Sequence, residues 1–212
     1  MALKVYDFHT DIRNLLVTPQ IRSRFLRMEP GQVASRHSHD LGHEIFLILQ
    51  GRCIFEISGE EAELGPGQLC IALVDEPHSV RVTSAEPLIM YLSVTPHIQP
   101  THTGRTPEGE RQPIHFIPSS AYDTETDTQT PVEVLAERWV QSFQVMAALA
   151  QESARQQAQA AMQLKGALAA GNEAAAQQAR NTMWEGVYQT FTNLHALGDQ
   201  WNTLAPRMAK TG

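Results

Sequence analysis

Between Ile21 and Val94 apolar residues recur in short runs with a period near two, and after residue 130 the period lengthens to that of a helix. The first region reads as seven strands: Ile21–Met28, Gln32–Arg36, Glu44–Gln50, Arg52–Ser58, Gln68–Val74, His78–Thr83 and Leu88–Val94. Turn-forming clusters separate them, among them Glu29-Pro30-Gly31, Gly65-Pro66-Gly67 and Asp75-Glu76-Pro77. Short strands without intervening helices predict an antiparallel sandwich or barrel. From Thr95 to about Thr130 the prolines Pro96, Pro100, Pro107, Pro113 and Pro118 break any long element, which predicts loop and linker.

Thr130-Pro131-Val132-Glu133 then has the form of a helix start, with Thr130 as cap and Pro131 in the first turn. Trp139, Phe143, Met146 and Ala150 follow as the stripe of a packed helix. Gly171-Asn172 reads as a stop and a new start, and Met183, Val187, Phe191 and Leu194 mark a second helix that fades before Pro206. The expected organisation is a barrel with an N-terminal segment over residues 1–116, a linker over 117–130 and a helical hairpin over 131–205. A helix over 131–170 would run roughly 60 Å, longer than a small barrel is wide. With the Ala-rich stretch from Ala147 to Ala179 permitting close approach, this predicts a homodimer paired through the hairpin.

Charge narrows the partners. The formal net charge is −7, and residues beyond 130 carry six acidic and six basic side chains, so the whole excess lies before them. Neither part has a basic face, which argues against nucleic acid and against an anionic membrane surface. Cys53 and Cys70 lack CxxC spacing and have apolar neighbours, so they read as reduced core residues. No apolar run suggests a signal peptide or a membrane span. These features predict a cytoplasmic protein.

The candidate chemistry lies in Gly31-Gln-Val-Ala-Ser-Arg-His37-Ser-His39-Asp-Leu-Gly-His-Glu44-Ile-Phe-Leu-Ile-Leu-Gln-Gly51. Side chains alternate across a strand, so His37 and His39 share a side and can reach one ion. Glu44 opens the next strand, close enough to add a carboxylate oxygen. Imidazoles with a carboxylate suit Fe, Mn, Ni, Cu or Zn better than Ca or Mg.

This stretch resembles the first motif of the cupin superfamily, Gly-x5-His-x-His-x4-Glu-x6-Gly, at every fixed position. The second motif, Gly-x5-Pro-x-Gly-x2-His-x3-Asn, is matched at Gly67 and His78, while Leu73, Asp75 and Val82 replace its Pro, Gly and Asn. The resemblance implies a jelly-roll β-barrel that binds one divalent transition metal through His37, His39, Glu44 and His78. It covers about 75 residues and is silent on the hairpin. It also implies a small-molecule substrate or ligand, with oxygenase activity of the dioxygenase kind as the leading expectation and Glu44 as the catalytic group. The alternatives are a non-oxidative isomerase or lyase, and a non-catalytic binding or sensing protein. Phe46, Ile48, Phe55, Leu69 and Ile71 are candidate cavity walls. His43 should face away from the ligands, and Tyr91 reads as a core residue. His97 and His102 could fold over the barrel mouth, although a solvated proline-rich loop is the simpler reading.

Overall fold

The computed structural model describes residues 3–209. Among them, ten strands precede two long helices: β1 (Asn14–Val17), β2 (Arg22–Met28), β3 (His37–Ser38), β4 (His43–Gln50), β5 (Cys53–Ile57), β6 (Glu60–Leu64), β7 (Leu69–Ala72), β8 (His78–Val82), β9 (Leu88–Thr95), β10 (Thr103–Gly104), α1 (Val132–Ala169) and α2 (Glu173–Leu204). The strands form two antiparallel five-stranded sheets, in the orders β1-β2-β9-β4-β7 and β10-β3-β8-β5-β6. The expected jelly-roll barrel followed by a helical hairpin is the observed fold. No described helix is long and apolar enough to cross a membrane.

Period-two alternation builds the interior. In β4 the inward residues are Glu44, Phe46 and Ile48, in β8 His78, Val80 and Val82, and in β2 Arg22, Arg24, Leu26 and Met28. Phe46, Ile48, Phe55, Val80, Val82, Leu88, Met90 and Leu92 belong to one buried apolar cluster. Register places the charged ends together: Arg22 and Glu44 both pair with Val94, from the two sides of β9. Each inward row thus begins with an ionisable side chain and continues as apolar core.

Several expectations need correction. Gln32–Arg36 is not a regular strand; Val33 makes a single bridge to Arg81, and ladder pairing starts only at His37 opposite His78. Gln32, Ala34 and Ser35 offer no continuous apolar face to hold a ladder. The acidic segment Glu60–Leu64 is an edge strand, where exposed carboxylates discourage pairing with another chain. Leu69 and Ile71 do not line the cavity: they are 50% and 47% exposed, because Cys70 pairs directly with the inward Phe46.

The chain divides into two compact units, one running to Thr128 and resumed at Ala205, the other Gln129–Leu204. In the first unit the resumed segment is held by Arg207 Nη1, which donates to Asp127 O at 2.7 Å. In the second, α1 and α2 pack along each other. α1 begins at Val132, later than a Thr130 cap would place it, because Pro131 is still extended at ψ 143°. The turn between the helices is as expected: Gly171 adopts φ +63° and Asn172 Oδ1 caps Ala175 N at 3.1 Å. Buried seam positions include Ala160, Ala167, Ala176, Ala179 and Gly186. At its centre Ser153 Oγ and Gln157 Nε2 donate to the carbonyls of Gly186 and Met183. A Cβ on Gly186 would fall 2.5 Å from Gln157 Nε2, so a larger residue there would displace the Gln157 amide from the Met183 carbonyl.

Candidate metal centre

The sheets bring together His37, His39, Glu44 and His78, whose ligand atoms all lie within 4.8 Å of one another. His37 pairs directly with His78 across β3 and β8, His39 follows two residues beyond His37, and Glu44 reaches in from β4 of the opposite sheet. His39, Glu44 and His78 are buried and His37 is partly exposed.

Backbone carbonyls fix the direction of each imidazole. His37 Nδ1–H donates to Ser35 O and His78 Nδ1–H to Glu76 O, both at 2.9 Å, while His39 Nδ1–H donates to Thr101 O. A carbonyl only accepts, so in each neutral ring the proton sits on Nδ1 and Nε2 keeps a bare lone pair. The three Nε2 atoms face Glu44 Oε2 at 3.9, 2.7 and 3.1 Å for His37, His39 and His78. Burial alone would raise the Glu44 carboxyl; where the imidazoles are protonated, their Nε2–H groups donate to it and hold it well below the usual carboxylate range. Burial lowers His39 despite its contact with Glu44, which favours the neutral ring. Lone pairs thus converge on an anionic oxygen, and a cation among them resolves the conflict. The donor set fits a borderline transition ion, and Nδ1–H donation to carbonyls is the usual outer support of metal-bound histidine.

A second layer closes over this group. Arg22, 3% exposed, places Nη2 3.5 Å from Glu44 Oε1 and its guanidinium 5.4 Å from the centre of the Tyr122 ring. The Tyr122 hydroxyl and Thr101 Oγ1 share a hydrogen bond of 3.1 Å, and His102 Nδ1 lies 2.9 Å from the same Oγ1. The His102 ring centre is 4.8 Å from those of both His37 and His39. Burial, reinforced by the charges of His37 and His39, holds His102 well below its ordinary range. His97 is buried edge-on against Tyr122, 4.6 Å between ring centres. The solvated loop expected for His97 and His102 is therefore wrong: β10 pairs with β3 and carries the segment across the site.

Beside the cluster lies a cavity of about 220 Å³ with a floor that includes Phe46, Phe55, Met90 and Leu92. Ile48 is buried but is not among its lining residues, and Ile117, Ala121 and Tyr122, from the stretch expected to be linker, complete the wall. His43 is exposed and accepts from Val74 N, facing away from the ligands as expected. Tyr91 stacks edge-on against Phe25 and is half-buried. The sequence reading missed Arg22, Arg24 and Tyr122. For the arginines a signal existed: alternation backwards from Met28 and Leu26 puts both on the inward face.

The family model described as a cupin domain matches residues 24–95. The chain has no match among curated proteins. Similar solved structures include an uncharacterized conserved protein with a double-stranded β-helix domain from Klebsiella pneumoniae, at 20% identity and TM-score 0.42, covering 45% of this chain and 91% of that one. A cupin superfamily protein from Desulfitobacterium hafniense is similar at 15% identity and TM-score 0.36, covering 40% and 74%. DMSP lyase DddQ from Ruegeria pomeroyi is similar at 24% identity and TM-score 0.39, covering 44% and 47%.

Burial, and then the charges of Arg22 and His39, push the His97 imidazole down to about 3. An unfolded histidine titrates near 6.5, so between about pH 6.5 and 3 the unfolded chain binds a proton that the folded chain refuses. The contribution of His97 to stability therefore falls as pH drops through that window. In metal-free protein, His97→Phe should gain about 3 kcal/mol relative to the unaltered chain between pH 7 and pH 4. Melting temperatures across a pH series test this; a constant difference between the two proteins would show that His97 is not held neutral.

Proposed function

We propose that this cupin domain holds one divalent transition metal (Fe, Mn, Ni, Cu or Zn) through His37, His39, Glu44 and His78, and acts with it on a small organic substrate as an oxygenase. The observation that carries the reading is the convergence of three imidazole lone pairs on one buried carboxylate beside an apolar cavity. When bound, the ion would supply Lewis acidity, open coordination positions and, if redox-active, electron transfer to O₂.

The chain's own residues do the rest. Phe46, Phe55, Met90 and Leu92 exclude water and bind the carbon skeleton. Glu44 is the catalytic carboxylate of this reading: it supplies the negative charge facing the imidazoles, and it either stays on the ion or swings off to take a substrate proton. Arg22 faces the other oxygen of Glu44 across 3.5 Å as a counter-charge. Tyr122 and Thr101 hold His102 above the cluster. Because His102 is an acid–base group outside the four-donor set, it favours a second reading, a non-oxidative isomerase or lyase on the same scaffold.

We further infer a homodimer. At 100° per residue, Phe143 of α1 and Val187, Phe191 and Leu194 of α2 fall to one side of the seam, the same side of the antiparallel pair. Each is exposed, Phe143 by 53% and Phe191 by 57%. An apolar face of this kind fits a second hairpin.

Protein purified without an affinity tag should contain about one transition-metal ion per chain, and His37→Ala or His78→Ala should remove most of it. Chelation should also lower the melting temperature. Metal content unchanged in either variant would overturn the ligand assignment.

With Fe, Mn, Ni or Cu loaded, a chelating substrate should drive O₂ uptake that Glu44→Gln reduces by about two to four orders of magnitude. If no such substrate drives uptake, the oxygenase reading fails and the non-oxidative or sensing readings replace it.

Light scattering tests the assembly. The unaltered chain should be a dimer, and Phe143→Asp combined with Phe191→Asp should make it a monomer while leaving metal content intact. A dimer that survives both changes is not held by this face.

A further inference from the structure

The cavity wall carries two arginines with hydrogen-bond donors left unmet. Two arginines line it, Arg22 and Arg24, against a single acidic lining residue, Glu44. Arg22 is 3% exposed, and its ion-pair partner Glu44 Oε1 stands 3.5 Å from Nη2, beyond good hydrogen-bond length. Among the described residues neither Arg22 Nε nor Arg24 Nε, both buried, has a hydrogen-bond partner. A further carboxylate, Asp123, acts on Arg24 through its charge, but its Oδ2 is engaged by Asn14 N and Nδ2 at 2.8 and 2.9 Å. A guanidinium stays charged, and burying one with donors unmet is costly unless an acceptor arrives. Burial, and then the charge of Arg22, disfavours the charged form of Arg24, the expected effect of two cations sharing a wall.

We propose that the substrate is a small carboxylic acid, bound as its anion with the carboxylate received by Arg22 and Arg24. The planar fork of N–H donors on arginine matches a carboxylate better than any neutral group. The apolar floor of Leu26, Phe46, Phe55, Met90 and Leu92 takes a short carbon chain, and 220 Å³ is the space of roughly seven waters at about 30 Å³ each. Arg22 reaches toward Glu44, which touches the imidazoles, so the carboxylate lies next to the donor cluster. An acid bearing a 2-oxo or 2-hydroxy group would reach both the arginines and the ion. This inference rests on the proposed function for that second contact, but anion binding by the arginines does not need the metal.

The test is binding calorimetry with three- to six-carbon 2-oxo and 2-hydroxy monocarboxylates, each paired with its neutral primary amide. Measurements use metal-free and Zn-loaded full-length protein. At least one acid should bind tenfold or more tighter than its amide in both forms, and Arg24→Gln should abolish that preference without changing metal content. Should Arg24→Gln not fold, the acid–amide comparison on the unaltered chain decides, with Arg24→Lys as the second variant, expected to keep part of the preference. Absence of acid binding, amides binding as tightly as acids, or a preference unaffected by Arg24→Gln each overturns the proposal. Failure here leaves metal content and O₂ uptake with neutral chelators unaffected; failure of the oxygenase reading abolishes O₂ uptake while acid binding to metal-free protein persists.

Discussion

Three backbone carbonyls govern the interior of this barrel. Ser35 O, Glu76 O and Thr101 O each accept an Nδ1–H, and this turns three Nε2 lone pairs toward one carboxylate oxygen. Without those hydrogen bonds the rings could flip and let an Nε2–H donate to Glu44, and the centre would be a neutral hydrogen-bonded knot. With them, the centre is electron-rich and anionic, a donor set suited to a cation. The third carbonyl comes from residue 101, 62 positions after His39. The segment after β9 is thereby tied to the donor cluster, and with it come His102, Tyr122 and the stretch that seals the cavity.

The strands supply the complementary half of the environment. Because side chains alternate, a row such as Glu44, Phe46, Ile48 is one continuous wall that is charged at one end and apolar at the other. β2 and β8 repeat that order, and shared pairing with Val94 aligns Arg22 with Glu44. The result is a steep change from charge to hydrocarbon within two residues. A substrate entering this space meets fixed dipoles and charges at one end and excluded water at the other, an environment in which electrostatic contacts are strong.

The centre was legible in the sequence because its spacing is a geometric statement: HxH puts two imidazoles on one side of an extended chain, and the flanking glycines mark the turns that return Glu44 and His78 to them. What was not legible depended on register or on distant closure. Leu69 and Ile71 have the same composition as cavity walls, and only the direct pairing of Cys70 with Phe46 shows that they face outward. His97, His102 and Tyr122 sit in proline-rich sequence with no periodicity, and their inward position follows from distant ties: His97 N donates to Pro19 O, His39 Nδ1 to Thr101 O, and Thr101 Oγ1 bonds the Tyr122 hydroxyl. Arg22 and Arg24 broke the rule that charged residues lie outside. The burial of Arg22 becomes reasonable when the anion on Glu44 and the ring of Tyr122 are counted together.

The hairpin shows the same limit of composition from the opposite side. The stripe Met183, Val187, Phe191, Leu194 is the most apolar reading of α2, and a packed seam would be expected there. The seam instead follows Ala179, Met183, Gly186, Thr190 and Leu197, so only Met183 is common to both. At the centre of the seam small and polar residues win because close approach lets Ser153 and Gln157 reach backbone carbonyls across it, while Trp139 and Trp201 meet toward its other end. Large aromatics such as Phe191 would hold the helices apart and break those bonds. Their displacement to the outside leaves apolar surface on a helix pair whose own contact is already satisfied. That surface is therefore free to select a partner without competing with the fold of the hairpin itself.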